Sequence, residues 1–263
     1  AGPTSASAAS NARVTACLKA AQSKVSGVTV HSVGRDGSFK VYHVTRGSRQ
    51  ALVFLPTSGS AKCVVKGVGR AAARVWGSFV AGKSKLKAYL LPAECKTGDC
   101  PPSVLAVRDA KKRIIAATRL HEDYTCTQGG KLQTMTLFSK KTQTIALRCR
   151  SGSGGFDYTE AALLYQVRGN RLQLLLAAPL GTGVTWPEGK LMCQAWPPGW
   201  VKPIQVGRVP TLRALELEDQ DGVGRVEALQ TTYRYDIAQR KFVRTSAVKT
   251  KVNIARKCKP HRP

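Results

Sequence analysis

Between residues 11 and 25 the apolar positions Val14, Cys17, Leu18, Ala21 and Val25 recur at helical spacing, so they share one face with Arg13, Lys19 and Lys24 outside it. Ser10 or Asn11 is placed to cap this helix and Gly27 to stop it. Further on, the period drops from 3.6 residues to two. Residues 29–45 read as two strands around a turn near Asp36-Gly37, and 51–56 and 61–68 as two more. The stretch 68–82 carries helical spacing (Val68, Ala72, Val75, Trp76, Phe79) together with glycines that favour strand and loop, and it supports both readings. Next, Lys83, Lys85 and Lys87 alternate with Ser84, Leu86 and Ala88, which predicts a strand with a lysine face.

After the Cys- and Pro-rich stretch 93–103 the alternation is strong. Strands are predicted at 104–107 and 113–118, then at 134–138 and 144–148 with Lys140-Lys141 between them. A hairpin turning at Gly169-Asn170 follows, and the last hairpin spans 231–244. The Trp- and Pro-rich stretch 186–200 reads as irregular cover for a sheet edge, packing ahead of partner binding. The fold class is therefore mainly β, α+β overall: an N-terminal helix packed on a small sheet, then an antiparallel β-sandwich or partial-propeller-like region, stabilised by disulfides. The domain reading is a flexible N-terminus (1–10), a basic helix-plus-sheet domain (11–92), a linker (93–103), an antiparallel β domain (104–254) and a basic tail (255–263).

Charge changes the picture most. The 263 residues hold 42 Lys and Arg against 15 Asp and Glu, a net charge of +27. Residues 1–93 contain 14 basic residues and one acid, Asp36, and residues 237–263 contain nine basic residues and no acid. Such a field attracts anionic polymers: nucleic acid, acidic polysaccharide or lipid headgroups. The candidate polyanion-binding residues are Lys83, Lys85, Lys87, Lys249, Lys251, Arg256, Lys257 and Lys259. No apolar run reaches the ~18 residues of a membrane span. The first ten residues, small and polar without Met, predict a mature chain whose export signal has been removed, hence a secreted or periplasmic protein.

Eight cysteines, at 17, 63, 95, 100, 126, 149, 193 and 258, fit that compartment as disulfides. Loop lengths favour Cys95–Cys100 and Cys126–Cys149, which leaves Cys17–Cys63 and Cys193–Cys258. A zinc site from Cys95, Cys100, Cys258 and His261 is the less favoured alternative.

One acidic stretch stands apart. Residues 215–229 carry Glu216, Glu218, Asp219, Asp221 and Glu227. Asp219-x-Asp221-Gly222-x-Gly224-x-x-Glu227 sets carboxylates along a glycine-containing turn, as hard cations require. Over residues 214–244 the pattern resembles the calcium loop of FG-GAP-type repeats in secreted proteins. That resemblance implies calcium as cofactor, with Asp219, Asp221 and Glu227 as side-chain ligands and Arg225 offering its carbonyl. The loop's fifth position, ordinarily Asp or Asn, is Val223, which weakens the site. The alternative is an acidic turn that pairs with nearby Arg and Lys. A degenerate second copy exists: Leu105-x-Val107-x-Asp109 aligns with Leu215-x-Leu217-x-Asp219, and Arg113-x-x-Ala116 with Arg225-x-x-Ala228.

Catalytic motifs do not support an enzyme. Ser153 misses the nucleophile elbow because Ser151 stands where its first glycine belongs, and no phosphate-binding or H-E-x-x-H motif occurs. The leading expectation is an exported, non-catalytic polyanion binder of a bacterial envelope or extracellular space. Two other classes stay open. One is a secreted hydrolase or nuclease using His121 with Glu122 or Asp123; the other is an interaction module, inhibitor or assembly subunit, whose 186–200 loop docks a protein partner.

Overall fold

Two-residue periodicity dominates the chain, and the computed structural model accordingly is mostly β. It describes residues 7–21, 25–58, 62–68, 71–83, 85–92, 102–127, 129–152, 157–188, 191–195, 199–217, 224–254 and 256–260. Among them are one α-helix, one 3-10 turn and eighteen strands in four antiparallel sheets. The chain divides into two compact units: Ala1–Glu122 with Val167–Gln173, and Asp123–Gln166 with Leu174–Pro263.

The first unit opens with helix α1 (Ala8–Ala20). Ser7 caps it by accepting the Ser10 N–H, so the helix starts three residues before the expected position; Ala8 and Ala9 are good helix formers behind a Ser cap. Strands β1 (Thr29–Asp36), β2 (Phe39–Arg46), β3 (Arg49–Pro56) and β4 (Val64–Gly67) pair in sequence order. The β1–β2 turn falls at Gly37-Ser38, where Gly37 takes the positive φ that this turn needs. Both faces of this sheet are buried. Val41, Leu52 and Phe54 join Tyr89, Leu91 and Ala106 of the next sheet. Tyr42, Val44, Val53 and Leu55 join Val14, Cys17 and Leu18 of α1. A strand covered on both faces has no polar side, which is why residues 51–55 read as an unbroken apolar run. The Cys17–Cys63 disulfide ties α1 to the residue before β4.

The second sheet of this unit pairs β5 (Ala73–Gly77), β6 (Leu86–Leu91), β7 (Val104–Arg108) and β8 (Ile114–Arg119). The two-sided stretch 68–82 thus contains an edge strand, and its helical spacing is incidental. The lysine strand is shorter than expected. Gly82 turns at positive φ, Lys83 bridges Val80 across that turn, and Lys85 bends at φ 59°, so β6 begins only at Leu86. Residues 93–103 join two strands that pair directly, with Leu91 opposite Val104, and the units divide instead at Glu122 and Asp123.

In the second unit β9 (Gly130–Ser139), β10 (Thr142–Ser151), β11 (Asp157–Arg168), β12 (Arg171–Glu188) and β13 (Leu191–Ala195) form a six-stranded sheet, completed by β18 (Arg256–Pro260) beside β13. The turns at Lys140-Lys141 and Gly169-Asn170 fall where turn chemistry placed them. Cys126 and Cys149 are bonded. Strands β14 (Trp200–Gln205), β15 (Thr211–Leu217), β16 (Gly224–Asp236) and β17 (Lys241–Ile254) form the fourth sheet. Leu164, Leu175 and Ala178 of the six-stranded sheet share a core with Leu212, Ala214, Tyr235 and Phe242 of the fourth.

Two expectations change here. Trp186 and Pro187 belong to β12 rather than to an irregular lid, with Pro187 one residue from the strand end, where a missing N–H costs least. Arg256, Lys257 and Lys259 lie in β18 and not in a free tail, because Cys258 stands directly opposite Cys193 in the ladder with β13. The two aligned sequence copies occupy matching hairpins. Val107 pairs with Ala116 in β7–β8, and the aligned Leu217 pairs with Ala228 in β15–β16.

Candidate anion-binding surface

In so cationic a chain the positions of the acids decide where charge is left uncancelled. In the first unit Asp36 accepts from the Thr118 hydroxyl at 2.7 Å, the Arg119 backbone N–H at 3.1 Å and Arg119 Nε at 2.9 Å. Arg119 in turn stacks over Phe39 at 3.6 Å from the ring centroid. Asp109 closes the β7–β8 turn, accepting from the Arg113 N–H at 3.0 Å and pairing with its guanidinium at 2.7 Å. These hydrogen bonds hold the Asp109 carboxyl below its usual range against the opposing effect of partial burial, which is the largest single influence on it. Both acids of this unit whose side chains are described are therefore committed to arginines.

A cluster of cations stands elsewhere in the same unit with no acid among its contacts with the described residues. Cross-strand register places Trp76, Lys87 and Arg108 in one row over β5, β6 and β7, with Arg74 and Tyr89 in the next. The Lys87 ammonium lies 4.6 Å from the Trp76 ring centroid and 5.5 Å from that of Tyr89, and Arg108 lies 4.6 Å from Tyr89. Lys87 is only 9% exposed, whereas Trp76 is 57% exposed. Burial first, then repulsion by Arg108 and Arg74, lowers the Lys87 pKa. The Tyr89 hydroxyl is buried without a hydrogen-bond partner, so its ring contacts hold it. A strip of three mutually repelling cations beside an exposed indole has the composition of a site for an anion with a flat apolar face.

The sequence-predicted lysines are scattered by comparison. Lys83 and Lys85 are exposed just before β6, and Lys87 alone joins the strip. Lys249 and Lys251 share an exposed face of β17, where Lys251 is in register with Glu227 and Lys249 with Leu229, itself opposite Glu216. Asp219, Asp221, Cys95, Cys100 and His261 lie outside the described residues. Glu227 is exposed in β16, and among the described residues no three His, Cys, Asp or Glu gather as a metal site. His121 and Asp123 are exposed around the 3-10 turn Glu122–Tyr124. Of the 186–200 tryptophans, Trp200 carries Lys202 over its ring at 4.7 Å and packs beside Leu215 and Val226. Sequence reasoning missed Arg74, Arg108 and Trp76. The one signal for them was the lysine alternation that ends at Lys87, since the partners come from strands joined only by register.

The second unit treats its buried acid differently. Glu160, with a side chain 2% exposed, accepts from Arg148 Nε at 2.9 Å and from both Nε and a terminal nitrogen of Arg150, at 3.0 and 2.7 Å. A second terminal contact from Arg148 completes the clamp. Glu160 and Glu216 line a cavity of about 410 Å³ in this unit, together with Tyr124, Ser151 and Thr182.

Among the described residues no helix is long and apolar enough to cross a membrane. Neither a family model nor a curated sequence matches this chain.

Proposed function

We propose that the protein is an exported, non-catalytic binder of anionic polymers that works through the cations of its first unit, centred on Arg74, Trp76, Lys87 and Arg108. The observation that carries this reading is the cation–aromatic strip itself, in a unit whose described carboxylates are both spent on arginines. Three neighbouring cations without a counter-ion among the described residues repel one another, and a polymer phosphate, sulfate or carboxylate relieves that repulsion. The Cys17–Cys63 and Cys126–Cys149 disulfides fit an oxidising, extracytoplasmic compartment. The frame for this function is a helix-backed sheet in the first unit and two facing sheets, a sandwich rather than a partial propeller, in the second. The shared cores of α1 with β1–β4 and of the six-stranded with the fourth sheet support it.

The test is binding of single-stranded DNA and of a sulfated glycan across a salt series. Affinity is expected to fall linearly on a log–log plot, and Arg74→Gln with Arg108→Gln to lower the slope by roughly 1.5 for DNA. Affinity that is flat from low to moderate salt overturns the proposal. Lys249→Gln with Lys251→Gln is expected to matter less, because Glu216 and Glu227 lie on that face.

For the 219–227 turn we favour an internal ion pair over calcium. The matching hairpin closes with Asp109 and Arg113, whose aligned counterparts are Asp219 and Arg225, and the third implied ligand, Glu227, stands in register with a lysine. Melting temperature is then the same in calcium and in chelator; a rise with calcium sinks this reading.

A further inference from the structure

A second cationic feature of the first unit is concave. Where α1 begins, the helix-side face of β1–β2 and the tip of the β11–β12 hairpin line an open cavity of about 400 Å³. Arg35, Lys40 and Arg171 line it, with Ser7, Ser10 and Tyr42 supplying hydroxyls, and no acid is among its described lining residues. Arg35 pairs directly with Lys40 across β1–β2, so both project to one face. Asp36, next in the chain, points to the other face and is spent on Thr118 and Arg119. The Tyr42 hydroxyl, on a residue otherwise buried, donates to Ser10 Oγ at 3.1 Å and so anchors the start of α1 at the cavity wall.

The third cation arrives through a backbone constraint. The register of β1 against β2 slips between Ser32 and Gly34, and Gly34 lies at φ 156°. The carbonyl oxygen of Asn170 sits 2.6 Å from where a Gly34 Cβ would be, closer than any side chain allows. Only glycine lets the 167–173 tip approach so closely, and that approach sets Arg171 beside the cavity that Arg35 and Lys40 line.

We infer that this cavity is a binding site for a small oxyanion ligand, a phosphate or sulfate ester of about sugar size. Three cations with no counter-ion among the described residues set the charge. The start of α1, where backbone N–H groups lack helical partners, adds to it. The hydroxyls of Ser7, Ser10 and Tyr42 and the amide of Asn170 suit a polyol, and the volume is that of a small-molecule pocket, far larger than a lone phosphate fills. This goes beyond the polymer-binding reading and does not rest on it, because the two sites share no residue.

The experiment is calorimetric titration of the whole chain with glucose 6-phosphate, inorganic phosphate and glucose at low ionic strength. Arg171→Gln, Lys40→Gln and Arg108→Gln are run beside it, and all three are tested for DNA binding as well. Saturable millimolar or tighter binding of glucose 6-phosphate is expected, weakened about tenfold in Arg171→Gln and in Lys40→Gln and unchanged in Arg108→Gln. Arg35, Lys40 and Arg171 are exposed, so these variants keep the fold, which unchanged melting temperature verifies. Equal affinity for inorganic phosphate assigns the pocket to the free ion; tighter binding of the ester assigns it to the esterified form. No saturable binding of either anion overturns the site, and so does an equal loss in Arg108→Gln, which would mark a diffuse field effect. Loss of DNA binding in Arg108→Gln alone reports on the polymer surface separately.

Discussion

Asp36 in the first unit and Glu160 in the second are used in opposite ways. Asp36 takes one arginine and a backbone N–H, staples β1 to β8, and leaves exposed cations such as Arg35, Lys40, Arg74 and Arg171 to the solvent. Glu160 is nearly inaccessible and gathers two arginines to itself. The totals follow the same division, with 22 basic and 5 acidic residues in the first unit against 20 and 10 in the second. Charge in the second unit is partly consumed by its own architecture, while in the first it is displayed. A single net charge for the whole chain hides that difference, and both proposed sites fall in the unit that displays it.

The contrast can be broken at several points. The largest expected effect is loss of a disulfide, one described in each unit. Cys17→Ser with Cys63→Ser, which opens a span of 46 residues, is expected to cost about 4 kcal/mol, and Cys126→Ser with Cys149→Ser, a span of 23, about 3 kcal/mol. Urea unfolding measures both, and reversal of the order would mean that native contacts rather than chain entropy set the value. Next, Glu160→Gln strands two partly buried guanidiniums and is expected to cost about 2–3 kcal/mol. Asp36→Asn keeps its hydrogen-bonding shape at a more open site and is expected to cost about 1–2 kcal/mol. Equal costs would remove the distinction between the two acids.

The smallest effect is a pH dependence confined to the first unit. His43 is 4% exposed, donates from Nε2 to Gln50 Oε1 at 3.2 Å, and stands directly opposite His31. Burial, reinforced by His31 and opposed by the Gln50 bond, lowers its pKa below the ordinary 6.5. The unfolded chain then binds the proton more readily than the folded one. Its stabilising contribution is complete above 6.5 and is lost as pH falls toward the depressed folded value. Melting temperature is expected to drop between pH 7 and 5.5, and less so in His43→Gln; the same drop in the variant places the titration elsewhere.

What could be read in the sequence were the features set by neighbours along the chain. Gly37, Lys140-Lys141 and Gly169-Asn170 mark their turns because turn conformation depends on two or three residues. Cys126 and Cys149 pair across their expected loop. The features that stayed hidden depend on partners brought together by the fold. Nothing local in 255–263 says that its basic run will form a strand beside β13. Nothing local in 73–77 says that Trp76 will face Lys87, or that Lys87 will face Arg108. The lysine alternation pointed to the right strand, and its register with β5 and β7, which the alternation cannot encode, supplied the rest of the strip.

The close approach at Gly34 also orders events in time. The first unit is assembled from residues 1–122 and from a tip that follows some forty residues of the other unit. When the chain emerges from its N-terminus, α1 and the β1–β2 hairpin are present long before Asn170 and Arg171 are. A nascent or truncated chain that stops at Glu122 leaves Gly34 facing water and the corner by α1 lined by two cations rather than three. A pocket begun by α1 and β1–β2 is thus complete only after Arg171 is in place, and ligand capture there becomes a report that synthesis has passed the β11–β12 tip.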